Sequence, residues 1–497
     1  MDIPHDATVE PGITSPHYPL LPGEQLFSVT DHQPRTYPEK PSSVEQLLRL
    51  TRSSHTGEIG RAGPALASLA MDTHASSHAE HHDDAEHLHL YEALFGRDSL
   101  RVASFLVATY PELAHHTILA LAELQGVTYD ASREEEPGRI VHEARTLDDP
   151  IAQKLTAELG WQWPYYGAVD TAAEFIRTLT SYVTLDKSDD SFLDTEYIDR
   201  SGSTQTIATA LERALGWIEH KRMQTPEGFI EFKSVLPQGI ENQVWKDSWD
   251  AYHHADGTLA NHEQGIASLE VQVAAYDALL DAATLYETRT ENPTHAAALR
   301  VQADELKEAI FTHFWTEDKG GYFVLGLDRD ASGNYRQLSL RTSNMGHVLN
   351  SRLLESEDPA VIAKREAVIS HLLSPELLCT AGIRTLASDE IRFRAGAYHN
   401  GSVWIWDTHY IAEGLRRHGL TGVADTIDNR LIEITNVTGL FPEYVRGEQN
   451  DILLNRQTVV LWDEAAQRKN IIEQPPQEVQ AWTVAAILAS KLHFSRR

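Results

Sequence analysis

An all-α fold, a closed ring of helix pairs with long loops gathered at one end, is what the sequence predicts. Three observations predict it. Apolar residues return with helical period along most of the 497-residue chain. Strand-like stretches are few and short, GFIEFK at 228–233 and GGYFVLGLD at 320–328. The helices are joined alternately by short turns and by long, aromatic-rich loops. An open α-solenoid would also be helical, but it needs a repeat of fixed length, and the sequence contains none.

Taken in order, residues 1–42 are rich in Pro, Thr, Ser and His, with little periodicity. They are read as an irregular N-terminal arm on a single domain that runs from 43 to 497. Helix-period segments follow at 44–52, 99–109, 113–125, 171–184, 204–221, 264–289, 294–315, 343–354, 360–373, 402–418, 422–436 and 477–492, about twelve in all. The long loops are 126–169, 223–263, 374–401 and 437–476. Loops of that length inside a compact domain are usually functional.

Composition narrows the function. Hydrophobic residues make up 41% and charged residues 23%, ordinary for a globular protein with a sizeable core. The 42 basic and 73 acidic residues give a net charge of −31. Such a surface repels phosphate backbones and anionic membranes, so neither nucleic acid nor a membrane is an expected partner. A neutral small molecule is. Cys379 is the single cysteine, so no intrachain disulfide can form. The N-terminus has no basic region followed by an apolar one, no apolar run approaches a membrane span, and a cytoplasmic location is expected.

The chemistry lies in the long loops. QVWKDSWDAYHHADG (243–257) sets Asp247 and Asp250 beside Trp245 and Trp249. Sugars stack their C–H faces on such rings and need carboxylates, amides and guanidinium groups for their hydroxyls. YEALFGRDSL (91–100) places Arg97 and Asp98 just before a helix, where Asp98 could also be a plain cap. QWPYYGAVDT (162–171) contributes Tyr166 and Asp170, and YHNGSVWIWDTHYIAEGL (398–415) contributes His399, Trp404 and Trp406. GLFPEYVRG (439–447) holds Glu443 between aromatics. These last four aromatic–acidic loops, at equivalent helix starts, would converge on one end of a ring and form a carbohydrate site with 243–257.

The motifs FGRDSL, EEEPGRIVHEAR, PYYGAVDTAAEFI, QVWKDSWDAYHHADG, LEVQVAAYDAL, LRTSNMGHVLNS, GIRTLAS and YHNGSVWIWDTHYIAEGLRRHG occur in that order. Together, from about residue 90 to residue 490, the chain resembles the amylo-α-1,6-glucosidase family, the glucosidase part of glycogen-debranching enzymes and their bacterial relatives. The resemblance implies an (α/α)6 barrel, a six-hairpin toroid like that of glucoamylases, with a few short strands at the active-site end. It implies an inverting mechanism without cofactor or metal. Asp247 matches the family's acid, two residues after Trp245, and Glu443 its base, with Phe441 where leucine is usual. Arg97 and Asp98 resemble the pair that grips the terminal sugar. Trp245 and Trp406 are then candidates for stacking, and Asp170, Glu270 and His399 for hydroxyl contacts. Asp250 is the rival acid and Glu448 the rival base. Burial against Trp245 and Trp249 should raise the pKa of Asp247, as a proton donor requires.

The expected activity is that of an exo-acting α-glucosidase on a short oligosaccharide or glucoside, since there is no room for a second transferase region. An inverting hydrolase of another α-glycoside or of a glucosylated compatible solute is the alternative. A catalytically inactive sugar-binding toroid is another, and an epimerase would be expected to use paired histidines. The histidine-rich segment 74–89 lacks a fixed ligand pattern and is read as a polar surface loop. DRDASGN (328–334) lacks the closing glutamate of a calcium loop and is read as a hairpin turn. Oligomeric state is not legible.

Overall fold

The computed structural model describes residues 24–31, 42–44, 46–47, 66–69, 91–185, 191–289, 292–463 and 467–496. The histidine-rich segment 74–89 and most of the expected arm and of the helix at 44–52 lie outside the described residues. The chain is mostly helical. The helices are α1 (Gly96–Leu106), α2 (Pro111–Glu123), α3 (Pro150–Leu159), α4 (Thr171–Leu185), α5 (Ile207–Arg222) and α6 (Leu269–Thr288). They continue with α7 (Pro293–His313), α8 (Met345–Leu349), α9 (Pro359–Leu372), α10 (Ile405–Arg417), α11 (Thr421–Thr438) and α12 (Ala481–Ser495).

Six of these helices contact one another in a cycle, α1–α4–α6–α8–α10–α12 and back to α1. Behind them α2 packs on α1 and α4, α5 on α4, α7 on α6, α9 on α8 and α11 on α10 and α12. Burial follows this division. Helix α6 is buried on nearly every side, from Leu269 to Tyr286, whereas α9 buries only Val368 and Leu372. A helix apolar all round must sit inside; one with a narrow stripe faces water on its other side.

The two sets also begin differently. Asp149, Asn292 and Asp358 cap α3, α7 and α9 with their side chains, each followed by proline at the first turn. Ring helices α1, α6, α10 and α12 start from Phe95, Ser268, Trp404 and Gln480, all extended and without a side-chain cap. Each emerges from a short strand, Leu94–Phe95, Ile266–Ser268, Val403–Trp404 or Val479–Gln480, paired with a distant loop. The periodicity runs on apolar through these junctions, because strand and helix are buried alike. That is why the sequence-based helix starts at 264, 402 and 477 fall several residues too early.

Other differences have local causes. The expected helix at 343–354 stops at Leu349, where Asn350 turns its amide to the Tyr410 carbonyl and Ser351 restarts the chain as a 3₁₀ turn. Helix α3 lies inside a stretch read as loop. Strand Glu24–Asp31, inside the expected irregular arm, pairs with Gln457–Asp463, which pairs in turn with Arg468–Glu473. The DRDASGN stretch is a hairpin turn between Gly326–Arg329 and Tyr335–Leu338, closed by Ser332 and Asn334 N–H groups on the Asp330 carboxylate. No helix among the described residues is long and apolar enough to cross a membrane.

Candidate active site

The site lies at the N-terminal ends of the ring helices. Gly96 opens α1 against the backbone of 141–142; its N–H donates to the His142 carbonyl at 2.8 Å, and a Cβ there would lie 2.1 Å from the Val141 oxygen. Only glycine permits that approach, and it aims the next two residues inward. Arg97 donates to both carboxylate oxygens of Asp170, at 2.6 and 3.2 Å, joining the starts of α1 and α4. Asp98 accepts from the Gln480 amide at 3.1 Å, joining α1 to α12. Burial pushes the Asp98 carboxyl up to about 8; Arg97 opposes this, and the charges of Asp247 and Glu443 add to it.

Asp247 sits in a loop pinned on both sides. Arg139 donates to the Gln243 side chain at 2.9 Å, Gln243 donates to Glu134, and Lys246 gives its ammonium to the Thr385 carbonyl at 2.6 Å. Asp247 itself is half-buried. Burial raises its carboxyl to about 6, with Arg97 opposing and Asp170 adding.

Glu443 is deeply buried, in a turn just before the strand Tyr444–Val445. Its own N–H donates to the Gln477 carbonyl at 2.9 Å, and its carboxylate accepts from the Gln477 N–H at 3.2 Å. The Tyr398 hydroxyl donates to its other oxygen. Burial carries Glu443 up to about 7 against those two donors, with the charge of Asp247 adding. Tyr91, Tyr398 and Asp98 each feel the charges of both Asp247 and Glu443, and Tyr398 on Glu443 with His399 on Ser248 ties the two loops together.

His399 is buried beside the Asp247 loop: the Ser248 N–H and hydroxyl lie 3.3 and 3.0 Å from its Nδ1. Five other expected contacts are engaged by the protein itself. Trp245, Trp404 and Trp406 are buried, not open platforms. Trp245 packs edge-on against Trp404 and Trp406 and stacks on His347, while Trp404 and Trp406 stack on Tyr444 and Trp482. The Tyr166 hydroxyl is spent on the Leu124 carbonyl and Arg200, at 2.5 and 2.8 Å.

Glu270 is satisfied by protein donors, Ser268, Asn344 at 2.7 Å and Tyr252 at 3.2 Å, which makes it a brace at the start of α6. Asp250 is half-buried and raised by burial, with Arg392, Asn400 and Arg394 opposing. Glu448 is paired with Arg446 at 3.0 Å. The residues that the sequence reading missed are Tyr91, Tyr398 and Gln480. Tyr398 was visible as the residue before His399; nothing local marked Gln480.

Two carboxyl groups lifted towards neutrality beside a buried guanidinium–carboxylate pair can exchange protons near neutral pH, which is the chemistry that glycoside hydrolysis needs. The model of the family described as "Mannosylglycerate hydrolase MGH1-like glycoside hydrolase domain" matches residues 172–467, and the chain belongs to that family. The protein is a glycoside hydrolase. This family takes the place of the amylo-α-1,6-glucosidase family suggested by the motifs, which got the class of chemistry right. Crystal structures of the GH63 mannosylglycerate hydrolase from Thermus thermophilus share the fold. The complex with Tris superposes with a TM-score of 0.52 at 13% identity, and the complex with glucose with 0.52 at 14%. Both alignments cover 92% of this chain and 99% of the other. No curated protein sequence matches.

Proposed function

We propose that the protein is an inverting, exo-acting α-glycosidase built on an (α/α)6 barrel, with Asp247 as proton donor and Glu443 as base. One observation carries the reading: these two carboxyls are raised to about 6 and about 7, and Tyr91, Tyr398 and Asp98 each feel the charges of both. Asp247 gives its proton to the glycosidic oxygen as the bond to C1 breaks. Glu443 takes a proton from the water that attacks C1 from the opposite face. Arg97 and Asp98 hold the outer hydroxyls of the terminal sugar whose C1 is attacked, and Asp170 holds Arg97.

Between the two values the pair carries one proton. Taken singly, the values would leave it on Glu443. Tyr398 is held far above its ordinary range by burial and by Glu443, so its hydroxyl is a permanent donor; it and the Gln477 N–H favour charge on Glu443 and are already counted in that value. The reactive form is the other singly protonated one, with the proton on Asp247 and the charge on Glu443.

The substrate is a hexose α-linked to a small acid such as glycerate. The activity named for the family and for its solved relative, on mannosylglycerate, supports this, and Arg392 and Arg394 bring positive charge close to Asp250 in the donor loop. The second reading, removal of glucose from a short α-glucan, rests on the motif resemblance. Incubation with mannosylglycerate, glucosylglycerate and isomaltose, followed by proton NMR, decides between them. The β-anomer of the released hexose should appear first from one of the glycerates. Release of the α-anomer first, or no turnover of all three, overturns the proposal.

A further inference from the structure

Tyr398 and His399 are neighbours in sequence, yet their side chains serve different loops. The Tyr398 hydroxyl donates to Glu443, while His399 Nδ1 lies against the Ser248 N–H and hydroxyl, one residue past Asp247. The dipeptide is itself immobilised. The Tyr398 carbonyl accepts from the Trp404 indole at 2.8 Å and from the Ser402 hydroxyl. The His399 ring stacks on Trp404, with centroids 4.8 Å apart and planes within 19°. The adjoining Asn400 reaches the Asp250 carbonyl at 3.0 Å. Gly401 then turns at φ 145°, a conformation that favours glycine, where a Cβ would lie 2.2 Å from the Arg394 oxygen.

Resting on the Asp247 and Glu443 assignment, we propose that Tyr398–His399 is a spacer that sets the pose of the two carboxyl groups relative to each other. An inverting reaction needs a gap of roughly 6.5–9.5 Å between its carboxyls, wide enough for water. Nothing local to either loop can measure that gap. A rigid dipeptide with one side chain on each loop can. The two side chains divide the work, with Tyr398 orienting the base and His399 orienting the donor loop. The Ser248 N–H makes His399 Nδ1 an acceptor, which places the ring proton on Nε2. The titratable groups around Glu443 are Tyr398, Tyr91, Tyr444, Asp98 and Asp247.

The two roles separate on the leaving group, because fluoride departs without a proton. Tyr398→Phe, His399→Ala, Asp247→Asn and Glu443→Gln are assayed on the cleaved glycoside and on the matching α-glycosyl fluoride. Tyr398→Phe should lose about 10–100-fold on both substrates. The acid limb of its pH profile should move up by about one unit, because Glu443 loses a donor to its charged form. His399→Ala should slow the glycoside by about tenfold or more and spare the fluoride. Asp247→Asn should spare the fluoride, and Glu443→Gln should lose both. If the last two variants do not split in this way, the parent assignment fails. If they do, but Tyr398→Phe leaves the acid limb in place or His399→Ala slows both substrates alike, the spacer is overturned and the dipeptide is only packing.

Discussion

The two ends of the helical ring both bury charged side chains but treat most of their carboxyls differently. At the N-terminal end Asp98, Asp247 and Glu443 are raised to about 8, about 6 and about 7. At the C-terminal end a cavity of about 480 Å³ is lined by Arg101, Glu174, Arg177, Asp281, His409 and Glu413, among others. Burial pushes Glu174 up there too, but Arg101 at 2.9 Å, with Arg177, more than offsets it and leaves the carboxyl lowered. Asp428 likewise ends below its ordinary value, because His409 and Arg416 overcome its burial. His409, Glu413 and Asp428 are close enough to hold a metal ion, but the Arg416 guanidinium already bridges the two carboxylates. Cation supply accounts for most of the difference: buried carboxyls matched by guanidinium groups brace the ring and carboxyls in excess of cations store protons, although Asp281, with Arg352 at 2.8 Å, is still raised by its burial.

The largest test of that contrast is at the proton-storing end. Asp247→Asn and Glu443→Gln should each lower kcat by about 10²–10⁴-fold. Neither should lower Tm at pH 8. A raised carboxyl binds more protons folded than unfolded, so it subtracts stability as pH rises from the unfolded value through the folded one, and a neutral amide removes that penalty. Near-normal kcat in either variant would break the assignment.

At the bracing end the order of effects should reverse. Arg416→Met leaves Asp428 buried with His409 alone and should cost about 3–5 kcal/mol in thermal or urea unfolding, with kcat nearly unchanged. The lowered Asp428 contributes its stability above the unfolded value and loses it as pH falls through the folded one. The gap between variant and wild type should therefore narrow in acid. A 100-fold loss of kcat without a fall in Tm would erase the distinction between the ends.

A milder test is the pH profile. With the pair near about 6 and about 7, kcat/KM should form a narrow bell. Below it both groups are protonated and the base is lost; above it both are ionised and the donor is lost. A plateau from pH 5 to 9 contradicts the pairing. The smallest expected effect is that of Glu448→Gln, whose partner Arg446 also holds Glu473. It should change stability by under about 1 kcal/mol and leave the profile in place. A lost limb would reinstate Glu448 as the base.

The aromatic residues show where local reading ends. Trp245, Trp404 and Trp406 were picked out by composition, and composition cannot tell a sugar platform from an aromatic core, since both need large flat rings near carboxylates. Burial alone does not decide, since Arg97, Asp98 and Glu443 are buried as well; what the ring faces touch decides, and the tryptophans face one another, Tyr444 and Trp482. The same holds for Tyr166 and Glu270, whose polar atoms are used up by partners from other elements.

By itself, the sequence determined the helical period, most of the helix spans, the long loops, and the carboxylates, arginine and histidine that those loops carry. These are written in residues three or four positions apart, or side by side, and need no distant partner to be read. Only the tertiary structure decided that Arg97 meets Asp170, that Gln480 closes on Asp98, and that Tyr398 and His399 reach Glu443 and Ser248. Those contacts join residues tens to hundreds of positions apart. They exist because ring closure brings the ends of six helices together, and that same crowding excludes water and lifts the carboxyls towards the pH at which they can exchange a proton.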